Sequence, residues 1–459
     1  MHRRQSVHFL CLIGFFWIPF ISLEMVGPAF ERLMVGLGKW PRAHPTGQSG
    51  AVTPKEAQSP PFKMKTLRAA IPPNCFQKSF AWSMFYWARD MAVLAALYHH
   101  RAAFWAWGGL PAKVVWWNLV GFFGWALFVV GHDCGHGTFS RYAWVNQIMG
   151  HCAHAILLVP FNGWAKSHKL HHLHHNDADH DHSWRPFTRT QFEASPVFPV
   201  RVLRFTMWAM PLLFPMYLVI ENQDGGFSGN HFNPWSKLFV PKERVGAACS
   251  ALTVLAVAFG LCWHFIVTLN DPLLLFEVYF VPYFVFVTWL DVVTYLQHMD
   301  EKCLYFRGEG WSFMTGALST YDRTYRHLID PFNIGYGRVL DDLHHNISDC
   351  HVVHHLFPWG IPHYHLVRAN DAVRRVLGKH YRWDPTPVPV ALYRSMRGCC
   401  FVEDEGDCIS PKGWVDADER KVKWFGLPAT FKGFIGLEET CSCDESSNAR
   451  NIWRETKKL

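Results

Sequence analysis

Long apolar stretches alternate with polar, histidine-rich segments along this chain. Four of the apolar stretches approach the roughly 20 residues that cross a bilayer core as a helix; they span about 84–107, 114–131, 246–268 and 274–297. Two others, 144–160 and 203–220, are shorter or interrupted by Pro211 and Pro215, and they predict helices lying in the membrane interface. The pattern predicts an all-α integral membrane protein.

The apolar and polar stretches also suggest domain boundaries. Residues 1–62 form an N-terminal extension with an apolar run, Phe9–Leu23, that resembles a signal sequence, followed by a flexible basic lead-in. Its role stays open between removal, an interfacial or re-entrant position, an extension foreign to the core protein, and organelle targeting. Residues 63–395 form the main domain. Residues 396–459 are polar without a spanning run, and they predict a weakly structured cytosolic tail.

Three histidine clusters share one helical spacing. They are His132 and His136 in HDCGH, His168, His171 and His172 in HKLHH, and His351, His354 and His355 in HVVHH. Offsets of three and four residues place side chains on one face of a helix. Neutral imidazole binds iron, zinc and copper, and eight imidazoles exceed the needs of one tetrahedral zinc. Two metal ions sharing the set is the simplest hypothesis, and the spacing alone does not separate iron from zinc.

A single metal site built from all three clusters constrains the topology, because an even number of crossings must then separate His172 from His351. The turn Asn270–Asp271–Pro272 lacks Lys and Arg, as expected of a short turn on the far side. Four transmembrane helices result, with a cytosolic helical cap carrying the histidines. The basic segments 141–204 and 235–244 favour this orientation.

Composition adds a preference for a membrane surface. The chain has 28 His, 22 Trp and 37 Phe among 459 residues, and Trp is typical of membrane–water interfaces. Its net charge of +7 is spread along the sequence, which favours contact with anionic lipid headgroups. No nucleic-acid partner is expected. The thirteen cysteines include no C-x-x-C pair, so most are expected to be reduced thiols.

Longer motifs surround the histidines. HDCGHGTFS at 132–140, GWxxSHxxHH at 163–172 and HNISDCHVVHHLFPxxIPHYHL at 345–366 resemble the membrane fatty acid desaturases of the methyl-end (Δ12 and ω3) branch. The segments IPPNCF at 71–76, VTYLQH at 293–298 and GWSFMTGALSTYDR at 310–323 are also similar to that family, in the family's order. The resemblance covers residues 63–395.

This resemblance implies a di-iron enzyme that uses O₂ and two electrons to introduce a cis double bond toward the methyl end of an acyl chain, with ω3 favoured over Δ12. It implies iron ligation by His132, His136, His168, His171, His172, His351, His354 and His355. His298 resembles the separate ninth ligand, and His345 is a weaker candidate for a further ligand or a supporting donor. Asp133 is expected to orient a ligand imidazole from the second shell.

The resemblance also decides the register of the second cluster, where His171, His174 and His175 repeat the spacing. Gly163, Trp164 and Ser167 favour the first register. His174, His175, His180 and His182 are then expected to be solvated loop histidines. The segment between Tyr325 and His345 is longer than the family usually has, as a surface insertion would be.

No cytochrome b5 signature (His-Pro-Gly-Gly) occurs, so the electron donor is expected in trans. It would be cytochrome b5 in the endoplasmic reticulum, the favoured location, or ferredoxin in the plastid envelope. Two alternatives stay open. One is a fatty acid hydroxylase or acetylenase on the same scaffold, and the other is a non-catalytic, His-rich membrane protein that binds or transports zinc.

Overall fold

The computed structural model describes residues 57, 60–196, 209–220, 229–325, 338–386 and 388–412. The run Phe9–Leu23, residues 326–337 of the insertion and the tail beyond residue 412 lie outside these ranges. The described part is predominantly helical. Its α-helices are α1 (Met64–Ala70), α2 (Phe80–His136), α3 (Ala143–Ala155), α4 (Phe161–His174), α5 (Arg189–Ala194), α6 (Met210–Val219), α7 (Arg244–Cys262), α8 (Pro272–Leu275), α9 (Val281–His298), α10 (Phe313–Ala317), α11 (Val339–Leu343), α12 (His351–Leu356), α13 (Leu366–Leu377) and α14 (Val388–Gly398).

Helix α2 is a hairpin of two arms. Its break is at Gly109, where φ is 58° and ψ is −139°, a conformation that is open almost only to glycine. The Trp116 indole N–H donates to the Leu97 carbonyl oxygen at 2.8 Å. Nineteen residues of straight helix would hold those groups about 28 Å apart, so the arms fold back on each other. Each arm contains one of the predicted segments 84–107 and 114–131.

Three helical stretches among the described residues are long and apolar enough to cross a membrane: Phe80–His136, Pro241–Thr268 and Pro272–His298. The last two are joined by a turn in which Asn270 has a φ of 51° and the Asp271 carboxylate accepts the Leu274 N–H at 2.8 Å. π-helical turns lie on both sides, at Trp263–Thr268 and Phe276–Phe280. Large apolar side chains of α7 are exposed on one face; Leu252 is 64% exposed and Phe259 is 67% exposed. Such a face indicates an apolar surrounding.

Helix α9 packs against α2 and α6, and these contacts form the main core. Phe128 of α2 lies 5.7 Å from Phe286 of α9 and 5.8 Å from Phe214 of α6, measured between ring centroids. An assembly of α4, α10, α12 and α13 with a hydrophobic core of its own covers the end at which α2 and α9 both stop. This assembly carries the second and third histidine clusters.

The chain stays folded beyond α14 as far as residue 412, a stretch in which the sequence predicts weak structure. Strand β1 (Tyr305–Phe306) pairs antiparallel with β2 (Cys408–Ile409). Val402 is fully buried, and its carbonyl accepts the Arg189 N–H at 2.8 Å. A few apolar side chains separated by polar residues are enough to anchor residues 396–412, and average polarity conceals that pattern.

Candidate metal centre

Four helices bring the histidines together. His132 and His136 occupy the last turn of α2, and His298 is the last residue of α9. The second cluster of the sequence lies on α4 and the third on α12. Because α2 and α9 end side by side under α4 and α12, the imidazoles of distant stretches meet in one buried region. His132, His136, His171, His172, His298, His351, His354 and His355 are all buried, and His168 is partly buried.

Five of these side chains form cluster A, in which one ring nitrogen of each residue lies within 4.8 Å of those of the others; its members are His132, His136, His168, His172 and His354. The Nε2 atoms of His132 and His136 are 3.2 Å apart. Nε2 of His172 lies 3.1 Å from Nε2 of His168 and 3.1 Å from Nε2 of His354. His172 therefore connects the cluster A histidines of α4 with His354 of α12.

Cluster B lies next to cluster A. Ring nitrogens of His171, His298 and His355 lie within 4.8 Å of one another. Nε2 of His351 is 3.0 Å from Nε2 of His298, and the rings of His351 and His355 are 4.3 Å apart. We therefore include His351 in cluster B. The ring of His172 in cluster A is also 4.3 Å from the ring of His355 in cluster B, so the two clusters are in direct contact.

The donor set fits metal binding. Two nitrogens bound to one ion at about 2.1 Å, with an angle of about 90–110°, are about 3.0–3.4 Å apart, which matches the Nε2 separations. Both ring nitrogens of His355 are buried without a hydrogen-bond partner. Burial, reinforced by the neighbouring imidazoles, holds the pKa of His172, His354 and His355 well below the ordinary value. The rings are therefore neutral, which is the form that binds a metal.

The N-terminal cap of the short helix α12 is provided by a residue that is distant in the sequence. Cys350 provides no side-chain cap, and the Asp322 carboxylate accepts the Val352 N–H at 2.7 Å instead. Asp322 also accepts a hydrogen bond from Asn370 at 2.9 Å. Burial raises the pKa of Asp322 to about 7, even though these hydrogen bonds favour the charged form. The hydrogen bond between Asp322 and Val352 thus helps to fix the position of α12 and of the third histidine cluster.

Asp181 is a residue that sequence reasoning missed. Its Oδ1 lies 2.8 Å from Nδ1 of His171, which leaves Nε2 of that ring available to cluster B. Burial alone would raise the pKa of Asp181, but the His171 imidazole and backbone N–H groups hold it below the ordinary value. Such a carboxylate orients a ligand imidazole and fixes its tautomer. The only signal was a run of Asp and His after the second cluster, at 177–182.

Asp133 and His345 lie beside the clusters. Asp133 Oδ2 accepts hydrogen bonds from the backbone N–H of His363 at 3.0 Å and from its Nδ1 at 2.9 Å, whereas His132 Nδ1 is 3.6 Å from Oδ1. His345 is in neither cluster. Its Nε2 lies 2.7 Å from Asp90 Oδ2, and its ring is 4.4 Å from His363. A buried polar chain thus runs from Asp90 to the first histidine cluster.

The four histidines expected to be solvated differ in position. The side chain of His180 is 68% exposed and bonds to Asp177 at 3.0 Å. His174 and His182 are half-buried. His175 is fully buried, which corrects the expectation for that residue. The reason is a packing contact with α10, more than 130 residues away along the chain.

Comparison with known proteins identifies the family. Residues 111–386 match the fatty acid desaturase family. A Helianthus annuus protein named sn-2 acyl-lipid omega-3 desaturase (ferredoxin), chloroplastic, is 41% identical over 362 residues, which is 76% of each chain. An Arabidopsis thaliana protein named acyl-lipid omega-3 desaturase (cytochrome b5), endoplasmic reticulum, is 38% identical over 391 residues, covering 80% of this chain and 93% of that protein. The chain therefore belongs to the fatty acid desaturase family.

Proposed function

We propose that the chain is an omega-3 acyl-lipid desaturase. The reaction converts –CH₂–CH₂– to cis –CH=CH– near the methyl end of an acyl chain, while O₂, two electrons and two protons become two water molecules. Relatives named omega-3 desaturases, at about 40% identity over three quarters of the chain, support this specificity. None of these similarities points to hydroxylation, acetylene formation or zinc transport.

One observation carries the chemistry: nine imidazoles from four helices meet in two adjoining clusters. We propose that cluster A holds one iron and cluster B the other, with no role as a ligand for His345. Bound there, two irons supply O₂ activation. The protein's own residues orient the ligands, through Asp181 on His171 and the Asp133–His363 pair beside His132. Burial of most of the ligand histidines keeps bulk water away from the two clusters.

We propose four membrane crossings: the two arms of α2, the stretch Pro241–Thr268 and the stretch Pro272–His298. The second arm of α2 and the last stretch both end at the histidine clusters, so both meet one face of the bilayer. The turn at Asn270 then lies on the other face. Basic residues of 141–204 and 235–244 favour a cytosolic position for the clusters.

The electron donor acts in trans. Relatives with cytochrome b5 and with ferredoxin in their names are similarly close to this chain. We propose cytochrome b5 in the endoplasmic reticulum, with ferredoxin in the plastid envelope as the other case. Co-expression with each donor in a host lacking its own would separate the two by product yield.

Expression in yeast fed with defined fatty acids tests the function. The expected product carries a new cis double bond at the third carbon from the methyl end, located by mass spectrometry of derivatised lipids. The His355→Ala variant provides the inactive control. A hydroxy acid, an alkyne or a double bond at another position would contradict the proposal, as would purified protein that binds zinc in preference to iron.

A further inference from the structure

His175 lies next to the metal centre although the HxxHH motif excludes it. It follows α4 directly and is fully buried. One of its ring nitrogens lies within 4.8 Å of ring nitrogens of His172 and His355, and its ring is 4.9 Å from that of His355. Its neighbour His174 instead contacts Trp311 and the exposed His180.

The hydrogen bonds of His175 determine which nitrogen is available. Nε2 lies 2.8 Å from the Phe313 carbonyl oxygen. A carbonyl oxygen only accepts, so Nε2 carries the hydrogen and Nδ1 of the neutral ring keeps its lone pair. The His172 carbonyl is near the ring, and Nδ1 is buried without a hydrogen bond of ordinary geometry. An unpaired buried polar atom costs free energy, and a metal ion beside His355 would remove that cost.

The segment 310–316 is shaped around this side chain. Trp311 Nε1 donates to the His175 carbonyl at 3.1 Å, and the Phe313 ring lies 4.9 Å from the imidazole. A Cβ on Gly316 would lie 2.1 Å from the His175 carbonyl oxygen and 2.5 Å from Cδ2, so only glycine permits this contact. The segment GWSFMTG therefore fixes the position of the His175 ring through these contacts.

We propose that His175 is an additional nitrogen ligand, binding through Nδ1 the same iron as His355. A ligand histidine usually donates its other ring N–H to a carbonyl or a carboxylate, as Nε2 of His175 does to Phe313. The inference rests on the proposed function, in which the two clusters hold iron. It extends the metal centre to a tenth histidine from the loop after α4.

Two substitutions separate ligation from structural support. His175→Gln keeps an amide N–H near the Nε2 position for the Phe313 carbonyl. It has no atom with a lone pair near the Nδ1 position to bind the metal. His175→Asn places an amide oxygen near the Nδ1 position but does not reach Phe313. His174→Gln is the matched control at the adjacent position. Iron per chain and Mössbauer spectra are measured on purified full-length protein, with the melting temperature of the iron-free form as the structural readout.

Ligation predicts that His175→Gln lowers bound iron from about two per chain to about one, the weakening expected when a site loses a ligand. The melting temperature of its iron-free form stays that of the wild type. His175→Asn then retains more iron than His175→Gln, and His174→Gln behaves like the wild type. The opposite order, with full iron in His175→Gln and a lowered melting temperature in His175→Asn, would overturn the inference. Wild-type protein that binds no iron would overturn the proposed function itself.

Discussion

Asp181 Oδ1 lies 2.8 Å from Nδ1 of His171, and both side chains are buried. The same carboxylate accepts the backbone N–H groups of Asn176 at 2.9 Å, Ser183 at 3.0 Å and Trp184 at 2.9 Å. The loop after α4 is therefore folded around this group. The negative charge of Asp181 stabilises the ring orientation in which Nε2 of His171 faces cluster B.

Asp181→Asn should weaken the metal centre while the fold persists. The amide keeps the shape of the side chain but removes the charge and turns one acceptor into a donor. Loss of such a supporting partner typically lowers metal affinity or activity by about 10–100-fold. Iron titration and product yield in yeast measure the effect, with Asp179→Asn as the control at a more exposed carboxylate. Equal behaviour of the two variants would rule out an orienting role for Asp181.

His172→Ala and His355→Ala should each abolish desaturation without preventing membrane insertion. His172 contributes to cluster A and lies against cluster B, and His355 has two buried nitrogens without other partners. His180→Ala, at a mostly exposed position, is expected to keep activity. Lipid analysis and the amount of protein in the membrane fraction are the two measurements. Activity retained in either variant would remove that residue from the ligand set.

A buried ion pair should make the fold sensitive to strong acid. The Arg323 guanidinium donates to Asp384 Oδ2 and to Asp300 Oδ2, each at 2.6 Å. Burial favours the protonated form of Asp384, but Arg323 holds its pKa at about 2, below the ordinary 3.8. The contribution of Asp384 is complete above pH 4 and is lost as the pH falls through about 2; it amounts to about 2 kcal/mol.

Unfolding of detergent-solubilised protein between pH 5 and pH 2 measures this contribution. Asp384→Asn should unfold more easily than the wild type at pH 5, and the difference should shrink toward pH 2. Arg323→Ala should cost more, about 3–5 kcal/mol, because Arg323 is the buried partner of both carboxylates and the remaining Arg394, 3.0 Å from Asp384 and 3.7 Å from Asp300, is more exposed. A pH-independent difference between Asp384→Asn and the wild type would contradict the assignment.

Gly109→Ala should destabilise the α2 hairpin. The backbone at Gly109 adopts φ 58° and ψ −139°, which an alanine reaches only with strain of about 1–3 kcal/mol. Space is not the cause, since a Cβ at Gly109 would meet no atom within 4 Å. Gly260 has equal room within the ordinary helix α7, so Gly260→Ala should be neutral or stabilising. Comparable free energies of unfolding for the two variants would refute the strain argument.

Local spacing explains which parts of the molecule could be predicted from the sequence. The offsets between His168, His171 and His172 follow from helix geometry alone, and they correctly place neighbouring imidazoles on one side of α4. The break between the predicted segments 84–107 and 114–131 coincides with Gly109 and Pro111, where a helix is hard to continue. Both signals depend only on residues that are close in sequence.

Contacts between distant residues escaped prediction. His175 repeats the spacing of the second cluster, but its burial depends on Phe313 and Gly316, which no local pattern connects to it. His345 belongs to a family motif, yet its position is decided by Asp90 in the first arm of α2. Short polar stretches after residue 396 conceal Val402 and Ile409, which fill the core against distant elements.

The π-helical turn Phe276–Phe280 precedes α9, which ends at His298. A π turn holds one residue more than an α turn, so a one-residue deletion inside it is absorbed when the turn tightens to the α form. The same deletion between Val281 and His298 would rotate His298 by about 100° away from His351. One-residue deletions should therefore be tolerated within Phe276–Phe280 and abolish activity within Val281–His298.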